Sequence, residues 1–315
     1  MAKKQEAIKR ALGTLEYTLG FEIMNFLQDK DVNEIIVNPD TKIWVDTFSK
    51  GRVLTDYTLD SGKSEQIIYQ VADLTNTVCS ASKPTLGAEL PDGSRFQGFL
   101  PDVVTAPSFI IRKHTERKLT LMDYVNDGVL TPRQREIILE AIRDRKNIIA
   151  AGGTKTGKTT FLNAILAEMS KTDDRIVLLE DTRELKCAAR NYLSLKTTES
   201  CSMNDLLHDT LRATPDRIVV GEVRGDEALA LLDAWNTGHD GGCSTVHSSS
   251  AMLTLRRLEQ LVSRVSVTPQ QETIAGAVDM IVYLRRKGTG RVVEEIIGID
   301  GYDGEKGRYI THELV

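Results

Sequence analysis

The sequence predicts an α/β protein in which a smaller α+β domain precedes a larger domain built on a mostly parallel sheet. Its 315 residues are about twice the ~150 that one hydrophobic core usually serves, so two domains are expected. The early part mixes helical and extended patterns, whereas the later part alternates buried strands with helices. We place the domains at residues 1–115 and 132–315, joined by a linker at 116–131.

The amino-terminal domain is predicted to be α+β because its helical and strand-like stretches follow no regular alternation. Ser64–Val78 has apolar residues at helical spacing, which predicts a helix. Short apolar runs separated by turn residues predict the strands Glu34–Val37, Lys42–Val45, Phe96–Leu100 and Phe109–Arg112. The first dozen residues form a basic amphipathic pattern, which leaves a membrane-surface or partner contact open.

The linker is predicted where the chain becomes charged and irregular, ending at Asp127-Gly128. A helix is expected directly after it. Thr131 is a favourable N-cap, Pro132 suits the first helical position, and Gln134 completes the pattern of a capping box.

The carboxyl-terminal domain is predicted to contain a mostly parallel sheet because buried strands and helices alternate along it. The expected elements are strand Asn147–Ala151, helix Thr159–Ser170, strand Arg175–Glu180, strand Arg217–Glu222, helix Asp226–Trp235, strand Ser244–His247 and helix Ala251–Val265. A further helix is expected from the Thr268-Pro269 cap, followed by a hairpin of Met280–Leu284 with Arg291–Ile297.

Composition limits the classes of function. The formal charge of -5 and the isoelectric point near 5.7 disfavour a protein whose main task is to coat nucleic acid. The chain has neither an apolar run near the ~20 residues that span a bilayer nor the apolar core of a secretory signal, so we expect it in the cytoplasm. Its four scattered cysteines are expected to be reduced thiols.

A phosphate-binding loop is predicted where the chain matches G-x-x-x-x-G-K-[ST] between a strand and a helix. The predicted binding residues are Gly152, Gly153, Thr154, Lys155, Thr156, Gly157, Lys158, Thr159 and Thr160. Glycines allow the loop to wrap a phosphate with its N–H groups pointing inward. Lys158 is expected at the β- and γ-phosphates, Thr159 at Mg²⁺, and Thr160 on the α-phosphate side.

Carboxylates follow two of the predicted strands. Glu222 ends the strand that begins at Arg217, so it is expected at the ligand edge of the sheet, near the metal and the attacking water. Glu180 and Asp181 end another strand, and either one is a candidate to position water. A helix-capping role for them remains the alternative.

The glycine-rich segment from Thr237 to Ser248 contains two histidines. Zinc binding is disfavoured because the close spacing and carboxylate partners of a zinc enzyme are missing. We expect His247, at the end of a strand, to sense the γ-phosphate. His239 is expected to support the loop or simply to be a satisfied core residue.

Together, four segments resemble the type II/IV secretion ATPases in order and spacing. The segments are GGTKTGKTT, RIVLLEDTREL, LRATPDRIVVGEVRG and NTGHDGGCSTVHS, which correspond to the family's Walker A, Asp, Walker B and His boxes. The resemblance extends from about Leu90 to Val282 and also matches arginines at Arg212 and Arg224. Lys155 departs from the family, which usually has a small residue at that position.

The chain is most similar to the conjugal-transfer branch of that family, the TrbB-like ATPases. The resemblance implies a RecA-like P-loop NTPase domain, homohexameric rings and ATP bound between the two domains. It also makes Arg95 and Arg112 candidates for arginines that meet the phosphates. The four-cysteine metal module of pilus and type II secretion relatives is absent, which favours the conjugal branch.

The predicted function is therefore an ATPase that powers type IV secretion or conjugal transfer through Mg-ATP-driven domain motions in a hexameric ring. Its expected partners are secretion or conjugation proteins at the inner membrane, with peripheral membrane contact left open. Two alternatives remain. One is a RecA-like motor that translocates nucleic acid, which the negative charge disfavours, and the other is a nucleotide-gated assembly scaffold with little turnover.

Overall fold

The computed structural model describes residues 2–113, 119–288 and 290–315. The chain divides into two compact units, Met1–Glu116 and Arg117–Val315. Residues 114–118, where the predicted first domain meets the predicted linker, lie outside the described residues. Among the described helices, none is both long enough and apolar enough to cross a membrane.

Within its described residues, the first unit consists of a six-stranded antiparallel sheet with two helices. Its elements are α1 (Ala2–Gln28), β1 (Val32–Val37), β2 (Lys42–Thr47), β3 (Gly51–Thr58), α2 (Ser61–Leu74), β4 (Thr85–Glu89), β5 (Arg95–Phe99) and β6 (Ser108–Arg112). The strand order is β3-β2-β1-β6-β5-β4. The helices pack on the sheet over a core that includes Ile23, Ile35, Ile67 and Phe109.

The strands predicted in this unit are confirmed, but the predicted end of its helix is wrong. Asp60 caps the start of α2, and the helix ends at Leu74. Val78, which the apolar spacing had included, is 66% exposed and lies beyond a turn at Thr75 and Asn76. Strand β3 was not predicted from the sequence, because its side chains are mostly exposed and show no clear alternation of apolar and polar residues.

Residues 119–131 contain ordered structure within the predicted linker. Helix α3 (Leu121–Asn126) begins at a capping box formed by Thr120 and Asp123, and its Tyr124 is buried. The next helix, α4 (Pro132–Arg143), begins at the predicted Thr131 cap, and its capping box with Gln134 is confirmed. The predicted linker therefore includes a short helix that packs into the second unit's core.

The second unit is built on an eight-stranded sheet, and the predicted alternation of strands and helices is confirmed. The remaining elements are β7 (Ile148–Gly152), α5 (Lys158–Met169), β8 (Ile176–Glu180), β9 (Tyr192–Lys196), α6 (Met203–Thr210), β10 (Arg217–Val223), α7 (Glu227–Asn236), β11 (Cys243–His247), α8 (Ala251–Val262), α9 (Gln271–Ala277), β12 (Met280–Lys287), β13 (Gly290–Asp303) and β14 (Arg308–Glu313). The strand order is β14-β13-β12-β7-β11-β10-β8-β9.

The sheet is parallel from β12 through β9, and only the β12-β13-β14 end is antiparallel. Successive residues of β7 point to opposite faces, so that Ile148 and Ala150 join one core and Ile149 and Ala151 join the other. Both faces are therefore covered, as a mostly parallel sheet requires. The predicted α/β class is confirmed.

Two smaller expectations need correction or completion. Helix α9 begins at Gln271, with Gln270 at its N-cap position, and not at the predicted Thr268-Pro269 cap. The predicted hairpin is formed by β12 and β13, whose paired residues run to Lys287 and Gly290. Its turn residue Thr289 lies outside the described residues.

Candidate nucleotide-binding site

The predicted phosphate loop connects the end of β7 to the start of α5. Gly157 occupies the N-cap position of α5 with φ of 86°, a left-handed conformation that favours glycine. At the other end of the loop, a Cβ on Gly152 would lie 2.5 Å from the Leu284 carbonyl oxygen and 2.6 Å from Thr156 Oγ1. The loop therefore closes tightly against β12, and its bend depends on glycine.

Lys158 is buried at the first turn of α5, with 7% of its surface exposed. Its Nζ donates a hydrogen bond to the Gly153 carbonyl oxygen at 3.1 Å and lies 3.3 Å from both ring nitrogens of His247. The ammonium group is therefore held inside the loop and next to the end of β11. The Thr156 hydroxyl also donates to the Gly153 oxygen, at 2.9 Å.

Glu222 lies in β10 between two basic side chains. His247 Nε2 is 2.8 Å from Glu222 Oε1, and the Arg224 guanidinium forms an ion pair with Glu222 Oε2. The Glu222 side chain is 16% exposed, so its charge is largely shielded from water. Lys158, His247, Glu222 and Arg224 thus form one continuous polar chain beside the loop.

The surroundings of His247 disfavour its protonated form. Burial and the positive charge of Lys158 lower the pKa of His247 below its ordinary value, and the Glu222 carboxylate opposes them. The histidine pairs in register with Gly152 across β11 and β7. Its ring is therefore fixed next to the base of the loop.

Glu180 and Asp181 have separate surroundings. Glu180 is 3% exposed, and its Oε1 accepts hydrogen bonds from the amides of Glu184 and Leu185, each at 2.7 Å. Its Oε2 is buried with no hydrogen-bond partner among the described residues, and burial raises the pKa of this carboxyl group. Asp181 is exposed and accepts from the Thr197 hydroxyl at 3.1 Å.

Gly221, the residue before Glu222, lies beside the Glu180 side chain. A Cβ on Gly221 would lie 3.4 Å from Glu180 Cγ, so the two strands bring both acids to one edge of the sheet. The Gly221 carbonyl oxygen also accepts a hydrogen bond from the buried Thr245 hydroxyl at 2.8 Å.

The other predicted loop residues are more open. Gly153, Thr154 and Lys155 are exposed, whereas Thr159 and Thr160 are partly exposed on the first turn of α5. Lys155 has φ of 61°, so a residue with a Cβ adopts a left-handed conformation at this position. Its side chain is consequently presented at the surface of the loop.

The predicted arginines of the first unit lie opposite each other. Arg95 in β5 and Arg112 in β6 are paired across the sheet, and Arg112 Nε is 4.0 Å from Glu34 Oε1. Both belong to the first unit, while all of the loop residues belong to the second. The two arginines are therefore neighbours on adjacent strands of the first unit's sheet.

Arg212 and His239, which the sequence singled out, and one of the four cysteines lie outside this polar chain. Arg212 is an exposed side chain that lies 3.8 Å from Asp209. His239 lies 3.2 Å from the Ala234 carbonyl oxygen through its Nδ1. Cys243 is fully buried, and burial raises the pKa of its thiol, so it is not an activated nucleophile.

Two residues near the loop carry no sequence signal. The Arg291 guanidinium lies against Gly157, and it also lies over the Tyr124 ring at 5.7 Å from the centroid. Tyr124 comes from α3 and Arg291 from β13, far apart along the chain. No motif links them, so only the fold reveals that they meet at the loop.

The residues fit a triphosphate with a magnesium ion. The glycine cradle has no room for a Cβ at Gly152, a buried ammonium stands inside it, and a buried Glu180 oxygen has no partner among the described residues. Hydroxyl and carboxylate oxygens are the ligands that Mg²⁺ prefers, and Thr159 and Glu222 offer one of each.

The chain belongs to the type II/IV secretion system protein family. The sequence model of that family matches residues 19–294, a range that includes the loop and most of both units. The resemblance seen in the sequence is thereby confirmed.

Two relatives identify the branch. The chain is 44% identical over 296 residues to the conjugal transfer protein TrbB of Rhizobium radiobacter, covering 93% of this chain and 91% of the relative. It is also 44% identical over 303 residues to the probable conjugal transfer protein TrbB of Sinorhizobium fredii, covering 95% and 92%.

A solved structure supports the fold. The Legionella pneumophila ATPase DotB matches with a TM-score of 0.64 and 19% identity, covering 89% of this chain and 79% of that chain. At this identity the similarity concerns the fold alone.

Proposed function

We propose that this protein is a magnesium-dependent ATP hydrolase that powers type IV secretion or conjugal transfer. The single observation that carries the proposal is the buried Lys158 in a glycine loop, joined through His247 to Glu222. Membership of the secretion family and the 44% identity to conjugal transfer proteins support the same conclusion. We further propose that the second unit is a RecA-like P-loop domain and the first an amino-terminal α+β domain.

The residues of the site have separate roles in the proposed hydrolysis of ATP. The loop amides and Lys158 hold the β- and γ-phosphates, where their positive charge offsets the charge that develops during transfer. Glu222 orients and polarises the attacking water, and His247, which links Glu222 to Lys158, senses the γ-phosphate. Arg224 orients the Glu222 carboxylate through their ion pair.

A magnesium ion would be held by Thr159 and Glu222. When bound, it supplies positive charge that neutralises the phosphate oxygens. Glu180, whose Oε2 faces no partner among the described residues, is the better candidate of the two acids on that strand to position water. Asp181 is the weaker one because it is exposed and already bonded to Thr197.

The mechanical part of the proposal concerns rings and domain motion. Six copies form the working ring, and ATP binding and release drive a lid-like motion of the amino-terminal domain. Arg95 and Arg112 supply positive charge to the nucleotide phosphates during that motion. The work is delivered to secretion or conjugation proteins at the inner membrane, with the chain on the cytoplasmic side.

Steady-state phosphate release from purified protein tests the catalytic assignment. Glu222→Gln should bind ATP with nearly normal affinity and lower kcat by about 10²–10⁴-fold, because the water loses its general base. Glu199→Gln is a matched control on an exposed loop and should leave kcat unchanged. Normal turnover in Glu222→Gln would contradict the role given to this residue.

Mass measurement tests the ring. Addition of Mg-ATP should give a species six times the 35.0 kDa chain mass. A chain that stays monomeric at all nucleotide concentrations would contradict the ring proposal. Strongly salt-dependent stimulation of the ATPase by DNA would instead favour a nucleic-acid motor.

A further inference from the structure

We propose that Arg291 binds the nucleotide on the side of the ribose and α-phosphate, opposite the catalytic residues. This inference rests on the proposed function, since it assigns a further residue to the same nucleotide site. Arg291 follows the tip of the β12-β13 hairpin and belongs to none of the four family segments recognised in the sequence.

The first observation is the position of the guanidinium. Atoms of Arg291 fill the space beside Gly157, where an added Cβ would lie 3.0 Å from Cζ, 3.3 Å from Cδ and closer still to Nη1. Gly157 is the last loop residue before Lys158, at the N-terminal end of α5. A second full positive charge therefore stands at the loop, beside the positive end of the α5 dipole.

The second observation is the lack of a compensating charge. Within the described residues, Arg291 makes no ion pair, and its guanidinium forms a cation–π interaction with Tyr124. By contrast, Arg285 on the same hairpin is paired with Glu294 at 2.5 Å. A partly buried guanidinium next to a phosphate loop gains most from a phosphate oxygen, to which arginine can donate two parallel hydrogen bonds.

The third observation is that Arg291 is held in place. The Tyr124 ring under the guanidinium is buried and packs edge-on against Phe161 of α5, with ring centroids 5.4 Å apart. Tyr124 therefore belongs to the core beneath the loop. It provides a rigid platform, so less conformational entropy is lost when Arg291 binds a ligand.

Sheet order decides which end of the nucleotide Arg291 meets. Strand β7 lies between β11 and β12, and the catalytic candidates Glu222 and His247 lie on the β11-β10 side. Arg291 approaches from the β12-β13 side. If the γ-phosphate faces Glu222, the α-phosphate and ribose face Arg291, which then contacts a part of the nucleotide that ADP and ATP share.

Titration calorimetry of the full chain with ADP and with AMPPNP tests this assignment. Arg291→Ala should weaken the binding of both nucleotides by the same factor, on the order of tenfold to a hundredfold for a charge-assisted contact. Arg291→Lys should restore part of the affinity. The control is Arg286→Ala, which removes an exposed charge at the residue paired with Arg291 across the hairpin and should change neither affinity.

Other outcomes would overturn the inference. Unchanged ADP affinity in Arg291→Ala, with or without a lower melting temperature, would show that Arg291 only packs on Tyr124. A loss confined to AMPPNP would place Arg291 on the γ-phosphate side. If Arg291→Ala does not fold, Arg291→Gln provides the same comparison with the side-chain stem retained. Failure of the wild-type chain to bind either nucleotide would instead refute the proposed function itself.

Discussion

Replacing Gly152 by alanine should damage the loop, because the fold leaves no space for one methyl group there. The added Cβ would lie 2.5 Å from the main-chain oxygen of Leu284 and 2.6 Å from Thr156 Oγ1. Neither neighbour moves freely. Leu284 is paired with Gly152 across β12 and β7, and the Thr156 hydroxyl is bonded to the Gly153 oxygen.

The expected magnitude follows from the cost of overpacking. Forcing an extra methyl group into a filled site typically costs about 1–3 kcal/mol. For a unit of this size, a loss of about 2 kcal/mol lowers the melting temperature by roughly 4–8 °C. Gly153→Ala is the matched control in the same loop, since its Cβ would meet only Thr156 Cγ2, at an ordinary contact distance of 3.9 Å.

Thermal denaturation and ADP titration of both variants provide the assay. Gly152→Ala should lose stability and bind ADP at least tenfold more weakly, because the displaced loop no longer points its amides at the phosphates. Gly153→Ala should stay within about 0.5 kcal/mol of wild type in stability. Equal behaviour of the two variants would refute the claim that the loop bend at Gly152 is sterically fixed.

Two further predictions concern buried charges. Arg217→Ala should lower the unfolding free energy by about 3–5 kcal/mol in urea denaturation, because Arg217 is 2% exposed and its loss breaks a buried ion pair, leaving Asp174 with Arg145 as its paired cation, and removes the donor to the Gly241 oxygen; a loss below ~1 kcal/mol would contradict this. Burial raises the folded pKa of Glu180 above 4.5, so the folded state keeps a proton that the unfolded state releases, and stability falls as pH rises through that window. Glu180→Gln should therefore gain stability over wild type at about pH 8 and lose that advantage near pH 4; a difference independent of pH would contradict the raised pKa.

Local patterns were enough to predict the loop and most of its surroundings. The match from Gly152 to Thr159 is contiguous, the strand before it is buried throughout, and the helix after it buries one apolar face. Glu222 and His247 were predicted to lie near the carboxyl ends of two strands, and Glu222 is the second-last residue of β10 and His247 the last of β11. Their mutual contact at 2.8 Å follows from that shared edge.

Features that depend on distant parts of the chain were not predictable. Arg291 and Tyr124 meet only because α3 and the β12-β13 hairpin pack against α5. Helix α3 was not predicted because the sequence around it is charged and irregular, although Thr120 and Asp123 form a capping box at its start. The same limit applied to the end of α2, where the spacing of Val78 continued a helical pattern that tertiary packing does not use.

The central claim is that the loop and Lys158 hold the tail of a triphosphate. The most direct measurement is the affinity of the purified full chain for Mg-ATP, compared between wild type, Lys158→Ala and Lys171→Ala. Lys171 is an exposed control whose ammonium is paired with Glu168 at 2.6 Å. The account predicts tight binding for wild type and Lys171→Ala, with a loss of about a hundredfold or more for Lys158→Ala. Equal affinities for Lys158→Ala and wild type would contradict it.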